Sequence, residues 1–501
     1  MTEKIRKVSL YKLNYVLVVA TLILILSYFL NNYNRVSILE SSSTSLSCSS
    51  SSKILKYWSI CINEWNPNGN LRTMNRVFDK LGYKFVNASE SEEWDLLWSI
   101  EYVERNEETF RATRKSLLPH QRINHFPGIH FITNKKILGK HTNSKHLFPT
   151  FSFPEDENMF NEFSKTNPHA KYVEKNYDNR GVRIVTPDEF DKNNDEKIYQ
   201  VFMDNPFLID DHAFDFGVYV LISSVNPLRI YRYDHEVFIR FCPEKYHPFD
   251  PLNTHKYVVD ENHLSVYVMP SFKNLYNKYN YTAKSIFEFL IRKKGYNVKK
   301  FWLNIDETVS DIISKNENKI IENIKHEKYE NSHHFFELVR FDIILDNYLN
   351  PFVMEVNMSP NLTPAKKKHE KYTTVYEQLV YNTINLVGAG SYEVLMSRFT
   401  NDTISVNSQN IATNLENCLE NTCQLNCEKS SCAICIPCIS SNILFHLNEA
   451  YCEHIRKGNF KRAFPISIHF NNTELFETLS ENNQIMIKWY EAKCENDESW
   501  C

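Results

Sequence analysis

The stretch Phe335-Phe336-Glu337-Leu338-Val339-Arg340-Phe341-Asp342-Ile343-Ile344-Leu345-Asp346-Asn347-Tyr348-Leu349-Asn350-Pro351-Phe352-Val353-Met354-Glu355-Val356-Asn357-Met358-Ser359-Pro360 decides the reading of this chain. Two apolar runs flank a polar Asp-Asn-Tyr-Leu-Asn turn, the pattern of a β-hairpin. The two-residue period of a strand puts Asp342, Ile344 and Asp346 on one face, and Glu355 and Asn357 together on one face of the return strand. A turn centred between Tyr348 and Leu349 makes Asp342 and Glu355 cross-strand neighbours, with Cβ atoms ~4.5–5.5 Å apart. Opposed carboxylates on apolar strands repel each other and lose hydration, which calls for positive charge between them. Oxygen ligands from Asp342, Glu355 and the Asn357 amide suit Mg²⁺, which takes one or two carboxylates together with substrate phosphates. A solvated acidic face is the alternative on spacing alone.

Outward from the hairpin, strand and helix signals are mixed, and the fold class expected is α+β. Clusters at Tyr83–Val86 and Trp94–Ile100 alternate with a helical pattern at Leu71–Leu81, a small α/β unit. Strand-like runs follow at Tyr172–Glu174, Val182–Val185 and Ile198–Met203, then Phe216–Ser223, Leu228–Tyr233 and Glu236–Phe241, spaced as an antiparallel meander. Helices are expected at Ala283–Lys294 and around Val309–His326. Lys175 closes one of the strand runs before a polar loop containing Arg180 and Gly181, a place from which an ammonium reaches phosphate oxygens.

The chain has 501 residues, long enough for several packed units, with 42% hydrophobic residues and a net charge of −4. That balance gives no global field for nucleic acid, which is not expected as a partner. Only 10 Gly occur, and neither GxGxxG nor GxxxxGK[ST] is present, so a nucleotide would be held by another device. Leu13–Leu30 is uncharged and follows Lys4, Arg6, Lys7 and Lys12, which reads as a membrane anchor; a cleaved signal peptide is the alternative. The charge bias keeps the amino terminus cytosolic and sends the rest of a single-pass protein into the lumen. Ser41–Ser52 is a Ser-rich stalk. Nine of twelve cysteines lie after residue 417, which reads as a disulfide framework, with zinc as the alternative for Cys432, Cys435 and Cys438.

Asn124-His125-Phe126-Pro127-Gly128, Lys175 with Arg180-Gly181, Gln200 with Asn205-Pro206-Phe207-Leu208-Ile209, Phe214-Asp215, Pro227-Leu228-Arg229-Ile230-Tyr231, Arg240, and Phe341-Asp342 with Glu355-Val356-Asn357-x-Ser359-Pro360 follow one another in an order that resembles the tubulin–tyrosine ligase-like family. The resemblance implies an ATP-grasp fold and ATP-dependent ligation of an amino acid, most often glutamate, glycine or tyrosine, onto tubulin tails. Glutamate is the expected donor, and tubulin or another acidic protein tail the acceptor. It implies ATP and Mg²⁺ as cofactors, Lys175 on the ATP phosphates, Gln200 at the adenine side, Asp342, Glu355 and Asn357 around the metal, and Arg240 facing the transferred phosphate or acyl-phosphate. The expected organisation is a tail at 1–12, an anchor at 13–30, a stalk at 31–52, an N-terminal α/β lobe at 53–135, a central ATP-grasp lobe at 136–206, a C-terminal lobe with the metal hairpin at 207–392 and a Cys-rich appendix at 393–501.

Departures from the family pattern fall at functional places. Where Lys-Phe-Asp-x-Arg is common, this chain has Ala213-Phe214-Asp215-Phe216-Gly217, and Val201 follows Gln200 where a charged residue is common. These losses motivate a second reading, a weakened or inactive descendant acting as a lumenal, membrane-anchored binding protein. The basic run Lys366, Lys367, Lys368, His369 and Lys371 reads either as a solvated helix start or as a seat for an acidic peptide.

Overall fold

The structure is a computed structural model that describes residues 56–60, 71–86, 94–100, 102, 117–176, 181–259, 262–279, 282–329, 332–362, 371–390, 411–413, 418, 423, 427, 432–466 and 473–501. The anchor and stalk, Arg180, and Lys366 to His369 lie outside them. Among the described residues no helix is long and apolar enough to cross a membrane.

The described residues form three sheets. The first is parallel, with β1 (Lys56–Ile60), β2 (Lys84–Phe85), β3 (Leu96–Ser99) and β4 (Arg122–Ile123) in the order β2-β1-β3-β4. The helix Arg72–Lys80 precedes β2, as the pattern at Leu71–Leu81 predicts. The second is antiparallel, with β5 (Thr150–Phe151), β6 (Tyr172–Asn176), β7 (Arg183–Val185) and β8 (Lys197–Val201) in the order β5-β8-β6-β7. Phe151, Phe153, Phe160, Tyr172 and Tyr199 form its own small core.

The third sheet carries β9 (Phe214–Val225), β10 (Leu228–Tyr233), β11 (Phe238–Phe241), β12 (Leu264–Ser265), β13 (Glu337–Leu345), β14 (Pro351–Met358) and β15 (Phe460–Phe464). Its centre is β9, twelve consecutive buried residues. Phe216, Val218, Val220 and Ile222 face a core shared with the helices Ala283–Lys293, Val298–Ser314 and Glu317–His326, while Tyr219 and Leu221 face the helix Lys371–Leu386. The expected meander is not a simple one. β10 turns back on the second half of β9, but β11 returns to the first half of β9 rather than to β10. Glu236 fixes that redirection, because its carboxylate accepts the backbone N–H groups of Ala283 (3.1 Å) and Lys284 (2.9 Å) at a helix start. The single helix expected around Val309–His326 is two, broken at buried Asn316, whose amide donates to Thr142 Oγ1 (2.8 Å) and the Ile312 carbonyl (2.9 Å).

The segment after residue 393, set apart by composition, contributes β15 to the edge of β10. The helix Ser441–Arg456 brings Glu453 to Arg229 (2.8 and 3.0 Å), Tyr231 (2.9 Å) and Ser223 (3.0 Å) in the interior. Disulfides join Cys418–Cys435, Cys423–Cys432, Cys427–Cys438 and Cys494–Cys501, so Cys432, Cys435 and Cys438 are taken up by disulfides and the zinc alternative falls.

Candidate active site

β13 and β14 form the hairpin expected from the sequence, with Asp342 opposite Glu355 and Arg340 opposite Asn357. The turn is tighter by one residue than expected. Asp346 Oδ1 accepts the N–H groups of Tyr348 (2.9 Å) and Asn350 (2.8 Å), which centres the loop on Tyr348 and pairs Ile343 with Val353. Met354 is therefore an extra residue in β14, a β-bulge. The bulge has a chemical consequence. In a regular strand Glu355 would share the face of fully buried Val353; the bulge turns it to the face of Asp342.

Asp342, Glu355 and Asn357 converge, since the Asn357 amide nitrogen donates to Asp342 Oδ2 (2.9 Å) and Glu355 Oε1 (3.1 Å). Among the described residues no group of three or more His, Cys, Asp and Glu side chains is placed to hold a metal ion, and the donor set here is two carboxylates and an amide. The amide can present its oxygen instead by turning over, and the donor set then fits a hard cation such as Mg²⁺.

Among the described residues four cations surround this cluster. Arg240 on β11 sits beside Asp215 on β9 and forks onto it, with Nε 2.9 Å from Oδ1, and its Nη2 also donates to Asp342 Oδ2 at 2.9 Å. Lys175 on β6 donates to Gln200 Oε1 on β8 at 2.8 Å, and Gln200 in turn reaches Thr150 Oγ1 at 3.4 Å. Sequence reasoning missed the other two. Lys135 opens the helix Lys135–His141, whose N-cap Asn134 accepts the N–H groups of Lys136 and Ile137 at 3.1 Å, and its Nζ lies 2.5 Å from Glu355 Oε2. Arg340 forks onto Asp342 from the same strand at 2.6 and 2.8 Å. An Asn-Lys-Lys helix start was the available signal for Lys135; the two-residue spacing to Asp342 was the signal for Arg340.

The electrostatics follow from this crowding. Burial raises the Glu355 carboxyl, but the Lys135 and Lys175 charges and hydrogen bonds from Lys135 and Asn357 outweigh it and hold the pKa at about 2. Burial depresses the Lys175 ammonium to about 8, with Glu355 opposing and Lys135 assisting. Burial pushes Asp215 up to about 6 in spite of Arg240. Among the described residues these seven charged side chains carry one net positive charge, before any phosphate arrives. A cavity of about 260 Å³ opens beside them, lined by Lys135 and Asn134, by Asn176 and Ile198 of the second sheet, and by Val356, Asn357 and Met358 of β14. The site therefore lies where the second sheet faces the hairpin of the third.

The Asn124-His125-Phe126 block has a different task. Asn124 exchanges hydrogen bonds with the Ser99 backbone (2.7 and 2.8 Å), and Glu337 at the start of β13 pairs with His125 Nδ1 (2.8 Å) and the Phe126 N–H (3.2 Å). It latches the first sheet to the strand that bears Asp342. Gly128 follows in the left-handed region at φ +83°, where a Cβ would stand 2.7 Å from Asn323 Cβ. Ala213 is buried against Cys242 and Tyr246 and brings no charge to the site.

A family model described as the tubulin-tyrosine ligase family matches residues 112–402, more than half of the chain. The chain belongs to the tubulin-tyrosine ligase family. It is 31% identical over 442 residues to a probable tubulin polyglutamylase of Caenorhabditis elegans, covering 86% of this chain and 84% of that protein. It is 25% identical over 327 residues to a tubulin polyglutamylase of Danio rerio and 29% identical over 333 residues to one of Mus musculus, each match covering 62% of this chain. Those two alignments span 40% and 38% of the relatives' own lengths. The matched family region holds the whole cluster, from Lys135 to Asn357. As a tubulin-tyrosine ligase family member this chain carries its mixed α/β core together with the disulfide-bearing segment after residue 393.

Proposed function

We propose that this protein is an ATP-dependent carboxylate–amine ligase of the tubulin polyglutamylase type, joining glutamate through its amine to a side-chain carboxylate on an acidic protein tail. The observation that carries the reading is the facing of Asp342, Glu355 and Asn357 on one hairpin by Lys135 and Lys175 from two other elements, around an open cleft. The names of the relatives support glutamate as donor and tubulin as acceptor.

In this reading Lys135 and Lys175 hold the ATP phosphates, and Gln200, which orients Lys175, borders the adenine side. Asp342, Glu355 and Asn357 would hold Mg²⁺, which supplies charge neutralisation at the transferred phosphoryl group. The acceptor carboxylate attacks the terminal phosphorus of ATP, ADP leaves, and an acyl-phosphate forms. Arg240, fixed in orientation by Asp215, stabilises the charge on the acyl-phosphate oxygens. The glutamate amine then attacks the acyl carbon, phosphate departs and an amide remains.

The uncharged run Leu13–Leu30 and the disulfides support a single-pass protein whose folded part lies in an oxidising compartment, where the acceptor is an acidic protein tail of that compartment and tubulin serves as an acceptor in vitro. ADP release by the purified protein tests the ligase reading. It is expected to require both glutamate and an acidic acceptor, tubulin or a glutamate-rich peptide, and to vanish in Asp342→Asn. ADP release that ignores both substrates overturns it.

A further inference from the structure

Gly217 stands at the middle of the charged face. On β9 it lies between Phe238 of β11 and Asp342 of β13, with Asp215 two residues before it on the same face. Where the resemblance to the family places a basic residue, this chain has no side chain at all. The space is not empty, however. A Cβ at Gly217 would meet Arg340 Cδ at 3.1 Å, and Phe238 Cβ and the Phe238 carbonyl at the same distance. That is tighter than an ordinary contact, because the aliphatic stem of Arg340 crosses over Gly217 on its way to Asp342.

The path is set by register. Arg340 is opposite Tyr219 on β9 and Asn357 on β14, two residues along, and so on the same face, from Asp342 and Gly217. From there its guanidinium turns along its own strand and grips both Asp342 oxygens, at 2.6 and 2.8 Å. Its charge thus arrives beside Asp342 and Asp215, where a long basic side chain rising from Gly217 would also deliver one.

We infer that Arg340 is the positioning residue of this site, supplying from β13 the cation that β9 lacks, and that Gly217 is the complementary half of the exchange because it leaves the room Arg340 crosses. Arg340 acts through Asp342. It fixes the carboxylate that faces Glu355 and Asn357 and balances its charge, so that the cleft keeps its net positive character for an anionic substrate such as a nucleotide phosphate. On this account the absence of an arginine at position 217 relocates a charge and does not remove one, which speaks against the reading of an inactive descendant. The inference rests on the ligase reading only for its activity readout.

The experiment compares four full-length variants, Arg340→Met, Arg340→Lys, Gly217→Arg and the exchange Gly217→Arg with Arg340→Gly, by Mg²⁺-ATP titration, by KM and kcat for glutamate incorporation, and by thermal melting. Arg340→Met should lower kcat/KM by about ten-fold or more, and Arg340→Lys should recover part of the loss, since charge-assisted contacts carry such factors. Gly217→Arg alone should be crippled, with two basic stems in one space. The double exchange should recover to within about five-fold of the parent, a rescue that lost packing alone does not give. The inference is overturned if Arg340→Met keeps both parameters within two-fold, or if the folded double exchange is no better than Arg340→Met. Should the parent bind Mg²⁺-ATP but incorporate no glutamate, the ligase reading fails and the same pattern in nucleotide affinity decides the inference; a parent that binds no nucleotide overturns both.

Discussion

Removing Lys135 should move two affinities in opposite directions. Its ammonium lies 2.5 Å from Glu355 Oε2, and both side chains are about a quarter exposed. Glu355 is held at about 2 against an ordinary 4.5, a depression produced by Lys135, Lys175 and Asn357 against the pull of burial. At about 1.4 kcal/mol per pKa unit, the net preference for the ionised form is about 3.5 kcal/mol. Lys135, the contact partner and the foremost of the causes that lower it, is assigned the scale of a charge-assisted contact, about 1.5 kcal/mol, or about ten-fold in an equilibrium constant. In Lys135→Met the carboxylate loses the cation that competes for it, so Mg²⁺ or Mn²⁺ alone should bind about ten-fold more tightly. The nucleotide loses a charge-assisted phosphate contact, so ATP at saturating Mg²⁺ should bind about ten-fold more weakly. Isothermal titration of each ligand into the purified variant reads both values. Changes within two-fold for both, or a shift in the same direction, would refute the assignment of Lys135 to the phosphate side of the site.

Glu453→Gln leaves Arg229 buried with its counter-charge gone; it should cost about 3–5 kcal/mol and lower the melting temperature by several degrees, whereas a shift under one degree would mean that the segment after residue 393 adds little to the core. Lys175, depressed to about 8, gives up its proton above that pH, so kcat/KM for ATP should fall on the alkaline side; Lys175→Arg, which stays charged, should flatten that limb, and an unchanged profile would contradict the role. Reduction of the three interleaved disulfides, whose cysteines are 17, 9 and 11 residues apart, should cost stability of order 2–4 kcal/mol per disulfide and lower the melting temperature with it, and a melt insensitive to reductant would count against them.

The hairpin was legible because two local rules act on it together, strand alternation and turn composition, and they place Asp342 against Glu355. The bulge at Met354 was not, since a one-residue error in the turn and a one-residue bulge cancel in the pairing of those two residues. Lys175 and Gln200 were named separately, and only the pairing of β6 with β8 joins them. Lys135 stayed hidden among neighbouring lysines because its importance depends on where a helix start falls relative to a hairpin more than 200 residues later. The same non-locality conceals β15, whose sequence Phe-Lys-Arg-Ala-Phe says nothing of its partner β10. Gly217 reads as a loss in the sequence because the cation that answers it comes from another strand.

The central claim is that this cleft joins glutamate to protein carboxylates at the expense of ATP. Mass spectrometry of an acidic acceptor peptide, after incubation with the purified protein, ATP, Mg²⁺ and glutamate, tests it most directly. The account predicts a ladder of added glutamyl residues with the parent and none with Glu355→Gln of equal melting temperature. An unmodified peptide with the parent under conditions where Mg²⁺-ATP binds, or an identical ladder with Glu355→Gln, would contradict it.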